Sequence, residues 1–405
     1  MATENKKYIP ALRFPKFQND REWNYEYGNM LYDSIVNKKH KSDLPILAIT
    51  QDNGAIPRDE INYRVIVNDK SIEGYKIVEI GDFIISLRSF QGGIEYSRYK
   101  GLCSPAYIVL RKKHSKICDD FYRHYFKSFQ YIQALNRNLE GIRDGKMVSY
   151  KQFSDIKLPC PSLAEQKQIA DCLSSLDKYI DATKRKLELL KDHKKGLMQR
   201  LFPAKGKTTP EFRFPEFQND GEWNYEHGDM LYDSIVNKKH KSDLPILAIT
   251  QDNGAIPRDD INYRVVVEDK SIEGYKVVEV GDFIISLRSF QGGIEYSRYK
   301  GLCSPAYIVL RKRHSKICDD FYRHYFKSFQ YIQELNRNLE GIRDGKMVSY
   351  KQFTDIKLPY PSYEEQCKIA KVLSSIDDVI QTHIEKISAL ELHKNGLMQQ
   401  LFPKL

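Results

Sequence analysis

The sequence predicts an α+β protein with two near-identical globular domains and two long helices. Three observations support this: the chain repeats itself, short β-type runs alternate with turn signals in each copy, and each copy ends in a long heptad pattern. Shifted by 200 positions, residues 11–201 align with residues 211–401 without a gap. This repeat is far longer than the units of solenoids or propellers, so it indicates a duplicated domain that binds the same partner twice.

The globular part of the first copy begins with an aromatic, turn-rich stretch over residues 12–23. Four short β-type runs follow, at residues 44–50, 64–67, 82–87 and 106–110, separated by Asp-Asn-Gly, Glu-Gly and Gly-Gly turn signals. A helix is predicted over residues 119–136, where apolar residues recur at helical spacing. These residues, interpreted as core and not as a ligand platform, are Phe121, Tyr125, Phe129, Ile132 and Leu135.

A long helix is predicted to begin at Ser162. The run Ser162-Leu-Ala-Glu165 is interpreted as a capping box, in which the serine oxygen accepts from the third amide and the glutamate reaches back to the cap amide. Ser362-Tyr-Glu-Glu365 repeats it. At 1.5 Å per residue each helix spans roughly 55 Å, and Pro203 or Pro403 ends it.

Apolar residues along these helices alternate in steps of four and three, the pattern of a coiled-coil seam over about four heptads. The seam comprises Ile169, Leu173, Leu176, Ile180, Leu187 and Leu190, and Ile369, Leu373, Ile376, Ile380, Ile387 and Leu390. Because so long an amphipathic helix needs a partner, the other copy is the nearest candidate. Parallel pairing would place both globular domains at one end, whereas antiparallel pairing would give a pseudo-two-fold axis. We predict an intramolecular antiparallel coiled coil that separates the domains.

The domain organisation follows from these bounds. We predict an N-terminal tail over 1–10, a globular domain over 11–161, a helix over 162–202, a linker over 203–211, a second globular domain over 212–361 and a second helix over 362–402.

The composition narrows the class of partner and the compartment. A net charge of +10 favours a polyanionic partner, although a merely basic soluble protein remains an alternative. The seven cysteines form no CxxC pair, which indicates neither a disulfide framework nor a zinc site and favours a reducing compartment. With no signal-peptide core and no run of about 18 apolar residues, we predict a cytoplasmic protein without membrane contact or metal.

Three polar loops in each copy are candidates for DNA contact. They are residues 51–54 with Arg58, the segment from Arg88 to Lys113, and residues 141–146. The second segment is a basic run, in which Glu95 is the one acidic residue and the basic residues are Arg88, Arg98, Lys100, Arg111, Lys112 and Lys113. Arginine and glutamine can make bidentate contacts to base edges, and lysine suits phosphates. The alternative for each loop is a solvated hairpin tip with ordinary turn residues. The predicted DNA-binding residues are Gln51, Asn53, Arg58, Arg88, Gln91, Arg98, Lys100, Arg143 and Lys146, and Gln251, Asn253, Arg258, Arg288, Gln291, Arg298, Lys300, Arg343 and Lys346.

Motifs of catalysis are missing from the sequence. There is no GxxxxGK[ST] loop, no GxGxxG after a strand, no HExxH and no GxSxG. His40, His114 and His124 have no matching nucleophile and are interpreted as structural or surface residues. We therefore predict a protein that is not an enzyme and needs no cofactor.

Several segments resemble one known family. Phe153-Ser-Asp-Ile-Lys-Leu-Pro-Cys-Pro161-Ser-Leu-Ala-Glu165-Gln166, with its repeat from Phe353, is similar to the end of a target recognition domain in the DNA specificity subunit of type I restriction–modification enzymes. There the motif I-x-(I/L)-P-x-P-(S/P)-x-x-E-Q opens a long conserved helix. The helix endings Lys195-Gly-Leu-Met-Gln199 and Asn395-Gly-Leu-Met-Gln399 fit as well, as does the opening Leu12-Arg-Phe-Pro15. The resemblance covers essentially the whole chain, twice.

The resemblance implies a function and a set of partners. The two globular domains would be target recognition domains, each reading one half of a split target in double-stranded DNA, and the two helices would be the spacer between them. Two methyltransferase subunits that bind S-adenosylmethionine would methylate adenine N6. Two motor-nuclease restriction subunits would complete a restriction enzyme.

This chain departs from the usual family member, which pairs two dissimilar recognition domains. Near-identical domains related by a two-fold read the same bases in inverted orientation, so we predict an interrupted palindrome as the target. The alternative is a stand-alone, palindrome-binding regulator. It explains the duplication and the charge, but not the Pro-x-Pro-Ser-x-x-Glu-Gln segments.

Overall fold

The structure is a computed structural model that describes residues 9–40, 43–60, 69–86, 89–137, 148–241, 243–260, 269–286, 289–337 and 348–403. The chain divides into two compact units, Met1–Lys184 with Glu385–Leu405 and Arg185–Ile384. Each unit therefore contains one globular domain, the first part of its own long helix and the last part of the helix from the other repeat. The repeats thus exchange their helix ends.

The first repeat mixes short strands with helices. In chain order these are β1 (Asn24–Tyr27), α1 (Gly28–Leu31), β2 (Tyr32–Ile35), β3 (Leu47–Thr50), β4 (Gly54–Pro57), β5 (Lys76–Val78), β6 (Phe83–Ile85), α2 (Ser89–Gly92), β7 (Glu95–Tyr96), β8 (Gly101–Cys103), β9 (Ile108–Lys112), α3 (Asp119–Tyr125), α4 (Phe129–Arg137), α5 (Tyr150–Ser154), β10 (Lys157–Cys160) and α6 (Leu163–Leu201). Short 3-10 helices lie at Pro15–Phe17, Arg58–Glu60 and Asp69–Gly74.

The second repeat has the same elements 200 positions later. They are β11 (Asn224–His227), α7 (Gly228–Leu231), β12 (Tyr232–Ile235), β13 (Leu247–Thr250), β14 (Gly254–Pro257), β15 (Lys276–Val278), β16 (Phe283–Ile285), α8 (Ser289–Gly292), β17 (Glu295–Tyr296), β18 (Gly301–Cys303), β19 (Ile308–Lys312), α9 (Asp319–Tyr325), α10 (Phe329–Arg337), α11 (Tyr350–Thr354), β20 (Lys357–Tyr360) and α12 (Tyr363–Leu401). Its 3-10 helices are Pro215–Phe217, Arg258–Asp260 and Asp269–Gly274. The predicted α+β class is confirmed.

A four-stranded antiparallel sheet lies at the centre of each globular domain. Its order is β2-β9-β6-β7 in the first repeat and β12-β19-β16-β17 in the second. Because successive side chains of a strand point to opposite faces, Phe83 and Ile85 enter the aromatic core beneath the helices. Ile84 enters a smaller cluster with Leu47 of the β3–β4 hairpin. Strands β3, β6 and β9 overlap three of the predicted β-type runs, while residues 64–67 lie outside the described part of the chain.

The aromatic core differs from the sequence prediction most at Phe129, and Ile132 is only partly buried. Phe121, Tyr125 and Leu135 are buried as predicted, and edge-to-face contacts such as that of Phe83 with Phe126, at 5.1 Å between ring centroids, hold the core together. Phe129, by contrast, is 60% exposed. Its assignment to the core was wrong because the chain changes direction just before it.

The predicted helix over residues 119–136 is two helices, α3 and α4, with a break between them. Ser128 Oγ accepts a hydrogen bond from the amide of Tyr131 at 3.3 Å and so caps the start of α4. The prediction of one continuous helix was therefore wrong, because a side-chain cap starts a second helix inside an unbroken apolar periodicity.

The start of α6 corrects the predicted capping box. Ser162 Oγ accepts from the Glu165 amide at 3.2 Å, as predicted. The Glu165 carboxylate, however, accepts two hydrogen bonds from Arg13, at 2.7 Å from Nε and 2.8 Å from Nη2. A carboxylate this buried is stabilised far more by a guanidinium than by one amide. Arg213 and Glu365 repeat the pair at 2.8 and 2.7 Å.

The next residue of the motif, Gln166, joins the start of α6 to the segment that precedes α3. Its side-chain oxygen accepts from the amide of Cys118 at 2.9 Å, and its side-chain amide donates to the carbonyl of Pro161 at 3.0 Å. The Glu-Gln pair therefore joins the N-terminal segment, the start of α3 and the start of α6 at one junction.

Within the first unit, the two helical segments run antiparallel. Asp177 pairs with Lys394 at 2.5 Å and Lys184 with Glu391 at 2.6 Å, so numbering falls on one helix as it rises on the other. The last turn of α12 reaches the aromatic core through Phe402. Among the partners of its carbonyls is Gln130, whose side-chain amide donates to Gln399 and Phe402 at 3.0 Å each.

The second unit contains the equivalent arrangement. Lys194 pairs with Asp377 at 2.5 Å, Phe202 enters the aromatic core, and Gln330 donates to the Gln199 carbonyl at 3.3 Å.

The predicted seam residues are turned away from solvent. Those that are buried are Ile169, Leu173, Ile180, Leu187, Ile369, Leu373 and Ile387, and those that are partly buried are Leu176, Leu190, Ile376, Ile380 and Leu390. Leu189 and Leu392, which lie off the seam, are 69% and 75% exposed. In the described ranges, no helix combines the length and the apolar character that crossing a membrane requires.

Candidate nucleic-acid interface

The turn between β3 and β4 carries the first predicted loop. Thr50 Oγ1 donates to the Gly54 carbonyl at 3.0 Å and accepts from the Asn53 amide at 3.1 Å, which closes the turn. A bridge between Ala55 and Ser97 ties the hairpin to the end of β7. Gln51 and Asn53 are exposed. The backbone of this turn is therefore fixed while its two polar side chains face solvent.

The second predicted loop, around α2, lies against the first. Gln91 is exposed, and a Cβ on Gly92 would stand only 2.6 Å from Gln51 Nε2. Gly93 has a φ of +82°, and a Cβ there would meet the Phe126 carbonyl oxygen at 2.0 Å. These two glycines let the chain pass between the β3–β4 turn and the α3–α4 break. Gln51 and Gln91 are thereby brought to neighbouring segments.

An ion pair with a buried carboxylate and a partly exposed lysine lies beneath these two loops. Lys127 Nζ contacts Glu95 Oε1 and donates to the Gln51 carbonyl at 3.1 Å. The Glu95 side chain is only 3% exposed, and this burial raises its pKa to about 7, against the opposing effect of the Lys127 charge. The sequence did not reveal this pair, because its members lie 32 positions apart and Lys127 lies off the apolar stripe of the helix predicted over residues 119–136.

The third group of predicted residues lies beyond the other end of β7. Arg98 is exposed and has no acidic partner at ion-pair distance among the described residues. Lys100 pairs with Glu79 at 3.0 Å, with both side chains substantially exposed. Such a pair contributes less than about 1 kcal/mol in water, so it leaves the lysine available to a phosphate.

Arg58 lies at the same end of the domain as Arg98 and Lys100. The Ala55–Ser97 bridge is parallel, so the residues after β4 and those after β7 run the same way. Tyr99 donates its hydroxyl to Glu60 at 3.3 Å, which joins the two segments. Arg58 itself is partly buried. The described candidates thus form two groups, Gln51, Asn53 and Gln91 at one end of the β4–β7 pair and Arg58, Arg98 and Lys100 at the other.

The second repeat places its candidates in the same way. Gln251, Asn253, Gln291 and Arg298 are exposed, and Arg258 is partly buried. Lys300 pairs with Glu279 at 3.0 Å. Six further predicted residues, Arg88, Arg143, Lys146, Arg288, Arg343 and Lys346, lie outside the described residues.

Much of the positive charge around β9 is offset by acidic residues from distant segments. Arg111 forms two hydrogen bonds with the buried Asp82, at 2.8 and 2.7 Å. Lys112 pairs with Asp119 at 2.6 Å, and Lys113 pairs with Asp33 at 3.0 Å. The basic run seen in the sequence is therefore less positive in the fold, which leaves Arg98 as its exposed cation without an acidic partner among the described residues.

His124 is buried against the first part of α6. Its Nε2 lies 3.1 Å from Ser174 Oγ, and burial together with the charge of Arg123 lowers its pKa to about 3. This neutral, buried histidine has a packing role, in agreement with its structural interpretation.

Comparison with known proteins assigns both repeats to one family. The family model described as type I restriction modification DNA specificity domain matches residues 23–192 and again residues 201–392. The chain is 27% identical over 391 residues to a Methanocaldococcus jannaschii protein provisionally named the specificity subunit of type I restriction enzyme MjaX, covering 90% of this chain and 87% of that protein. It is 27% identical over 345 residues to the type I restriction enzyme MjaVIII specificity subunit of the same organism, covering 80% and 79%.

A solved structure shows the same fold. The crystal structure of the type I restriction-modification system S subunit from M. genitalium aligns with a TM-score of 0.57 and 15% identity, covering 98% of this chain and 100% of that chain. The family match spans both repeats, including the Pro-x-Pro-Ser-x-x-Glu-Gln segments that a stand-alone regulator leaves unexplained. The chain therefore belongs to the type I restriction modification DNA specificity family: it is a sequence-specific DNA-recognition subunit of such a system and not a stand-alone regulator.

Proposed function

We propose that this subunit reads an interrupted palindrome through two equivalent target recognition domains, residues 11–161 and 212–361. The observation that carries the proposal is that both repeats present the same side chains on the same turns. The described pairs are Gln51/Gln251, Asn53/Asn253, Arg58/Arg258, Gln91/Gln291, Arg98/Arg298 and Lys100/Lys300. Identical donors and acceptors held on identical turns recognise the same base edges, so the two half-sites carry the same letters.

The helical segments favour inverted half-sites over a direct repeat. In the first unit Asp177 pairs with Lys394, and in the second Lys194 pairs with Asp377. Each globular domain thus has the same relation to an antiparallel pair of helical segments, which is the local pattern that a two-fold relation requires. We therefore expect the second half-site to be the reverse complement of the first.

The proposed contacts divide by chemistry. The exposed Arg98, Gln91, Gln51 and Asn53 suit base edges. Lys100 suits a phosphate, and its removal lowers the slope of log affinity against log salt by about one unit. The residues outside the described part, Arg88, Arg143 and Lys146 with their repeats, belong to the same proposal on residue type alone.

The proposed partners are those that the family resemblance implies. Two methyltransferase subunits that bind S-adenosylmethionine supply the adenine-N6 chemistry, two motor-nuclease subunits supply restriction, and this chain supplies specificity without catalysis. Seven free cysteines suit the reducing cytoplasm in which such a complex meets DNA.

The test is the methylome of a host that carries this chain together with its methyltransferase. We expect modified adenines within one motif of the form half-site, spacer and reverse complement of the half-site. Two unrelated half-sites, or a direct repeat, would overturn the palindrome. Co-purification of the methyltransferase with the tagged chain checks the partner, and its failure to co-purify would count against the complex.

A further inference from the structure

We infer that Lys127 and Glu95, and Lys327 and Glu295 in the second repeat, are specificity-positioning residues that hold two DNA-reading loops in register without touching DNA. The loops are the β3–β4 turn, which carries Gln51 and Asn53, and the α2 turn, which carries Gln91. This inference rests on the proposed function, because it assigns a role to residues beneath the same reading surface.

The lysine is placed where the two loops meet. It lies in the α3–α4 break, next to the Phe126 carbonyl that Gly93 approaches so closely. In the second repeat, Lys327 Nζ donates to the Gln251 carbonyl at 3.1 Å, to the Gly292 carbonyl at 2.9 Å and to Glu295 Oε1 at 2.5 Å. An ammonium group has three protons, and here each has an acceptor.

These acceptors connect the ion pair to the candidate base contacts. One is the carbonyl of Gln251 itself, and another is the carbonyl of Gly292, directly after Gln291. The third acceptor, Glu295, begins β17 of the central sheet. In the second repeat one cation therefore links both loops to the sheet, and the relative position of Gln251 and Gln291 depends on it. In the first repeat Lys127 links the Gln51 carbonyl to Glu95.

The burial of the Glu95 carboxylate argues against a role in stability alone. Glu95 has a side chain 3% exposed, and its second oxygen, Oε2, has no hydrogen-bond partner among the described residues. A buried ion pair with an unsatisfied oxygen is a weak stabiliser compared with apolar groups of the same volume. What this pair does provide is fixed geometry, because the buried Glu95 carboxylate holds the partly exposed Lys127 ammonium group against the Gln51 carbonyl.

The closing experiment compares the target motif of the whole chain, in complex with its methyltransferase, for wild type and Lys127→Met. Selection from randomised DNA should give a motif in which one half-site loses about tenfold discrimination at one or two base positions, the scale of one base contact. The other half-site should be unchanged, because Lys327 is intact. The variant with both Lys127→Met and Lys327→Met should relax both half-sites alike.

Two further variants separate positioning from folding. Glu95→Gln keeps the side-chain shape and an acceptor but removes the charge, and it should relax the same base positions. Lys112→Met breaks the partly exposed pair with Asp119, which belongs to neither loop, and should leave both half-sites intact. The inference is overturned if Lys127→Met and Glu95→Gln leave the motif unchanged, or if both weaken every position of one half-site equally.

The pH dependence of base discrimination separates a positioning role of Glu95 from a merely structural one. The groups that face the Glu95 carboxyl are Lys127 and, more weakly, Asp52. Because the pKa of Glu95 is about 7, its ionised form gains population between pH 6 and pH 8, and discrimination at the affected positions should improve over that range. Glu95→Gln should flatten the profile, and an unflattened profile counts against the inference. A wild-type motif that is not a palindrome would count against the proposed function instead.

Discussion

The globular domains and the long helices of this duplicated chain differ in what the two copies share. In the globular domains, residues 81–112 are identical to residues 281–312, and this stretch includes exposed residues such as Gln91 and Arg98. In the helices, the buried seam stays apolar while exposed positions differ, as at Lys184/Ile384 and Lys191/Glu391. The fold therefore restricts the helices only along their buried stripe. The globular domains are also restricted on their surface, as expected where two copies read the same DNA sequence.

The largest expected effect comes from breaking the Arg13–Glu165 pair, which joins the globular domain to the start of its long helix. Arg13→Met leaves the buried Glu165 carboxylate without its counter-charge, and the free energy of unfolding of the first unit should fall by about 3–5 kcal/mol. Each unit contains one buried tryptophan, Trp23 or Trp223. Urea unfolding followed by Trp23 fluorescence in a Trp223→Phe background measures the change.

Two matched variants control this experiment. Arg213→Met should have the same effect on the second unit, followed by Trp223 in a Trp23→Phe background. Replacing both Arg13 and Glu165 with methionine should recover most of the loss, because an apolar pair leaves no buried charge. A loss below about 1 kcal/mol for Arg13→Met would show that the junction matters little for stability.

A smaller effect, on DNA binding alone, is expected from the exposed candidate Arg98. Arg98→Ala should leave the free energy of unfolding nearly unchanged, because the side chain is exposed. It should weaken binding by about 1–3 kcal/mol and relax one base position in one half-site. Competition binding with DNA altered at single positions measures this, and Arg298→Ala should affect the other half-site. Equal relaxation of both half-sites by one substitution would contradict two independent reading domains.

The buried carboxyl makes the stability of the globular domain pH-dependent. Burial raises the pKa of Glu95 from its usual 4.5 to about 7. Between pH 4.5 and about 7 the folded state holds a proton on Glu95 that the unfolded chain releases. The stability that this proton contributes is fully present below pH 4.5 and is lost as pH rises through 7. Glu95→Gln should reduce the loss.

The difference between wild type and Glu95→Gln isolates this carboxyl from the other groups. His124, with its pKa lowered to about 3, acts in the opposite sense by destabilising the fold as pH falls below 6.5, but it is common to both proteins. Urea midpoints at pH 5 and pH 8, followed by Trp23, measure the difference. Identical pH slopes for the two proteins would contradict the raised pKa.

The smallest effect is expected at an exposed helix position where the copies differ. Lys184→Ile introduces the residue found at 384 and removes an ion pair with Glu391 in which both side chains are about half exposed. The free energy of unfolding should change by less than about 1 kcal/mol. A loss above about 2 kcal/mol in the same urea assay would mean that exposed helix positions also restrict the fold.

Local patterns accounted for much of the fold before the structure was known. Short β-type runs bounded by turn signals predicted β3, β6 and β9, and the heptad pattern after Ser162 predicted α6. These features depend on neighbours within a few residues, which the sequence shows directly. The predicted capping box was wrong at Glu165, because this carboxylate binds Arg13 and not the cap amide. The predicted single helix was wrong at Ser128, because this side chain accepts from the Tyr131 amide and starts a second helix.

The candidate site was predicted less completely than the fold. Residue type and turn signals identified Gln51, Gln91 and Arg98, which the structure leaves exposed on its turns. Nothing in the local sequence distinguished Lys127 from other exposed lysines, since its acceptors come from segments 32 and 76 positions away. The close pair Gly92-Gly93, read as a turn, was the only local sign that two segments meet there.

By itself the sequence determined that this protein is duplicated, that its class is α+β and that its family is that of the type I DNA specificity subunits. Repeats, periodicity and motifs are properties of the order of residues. Only the tertiary structure decided that each helix end packs with the other repeat's domain and that Lys127 lies beneath two loops. It also decided that Glu165 binds Arg13 and not the amide of its own helix cap. These are choices among competing partners for buried charges and apolar faces, and burial is decided only when distant segments meet.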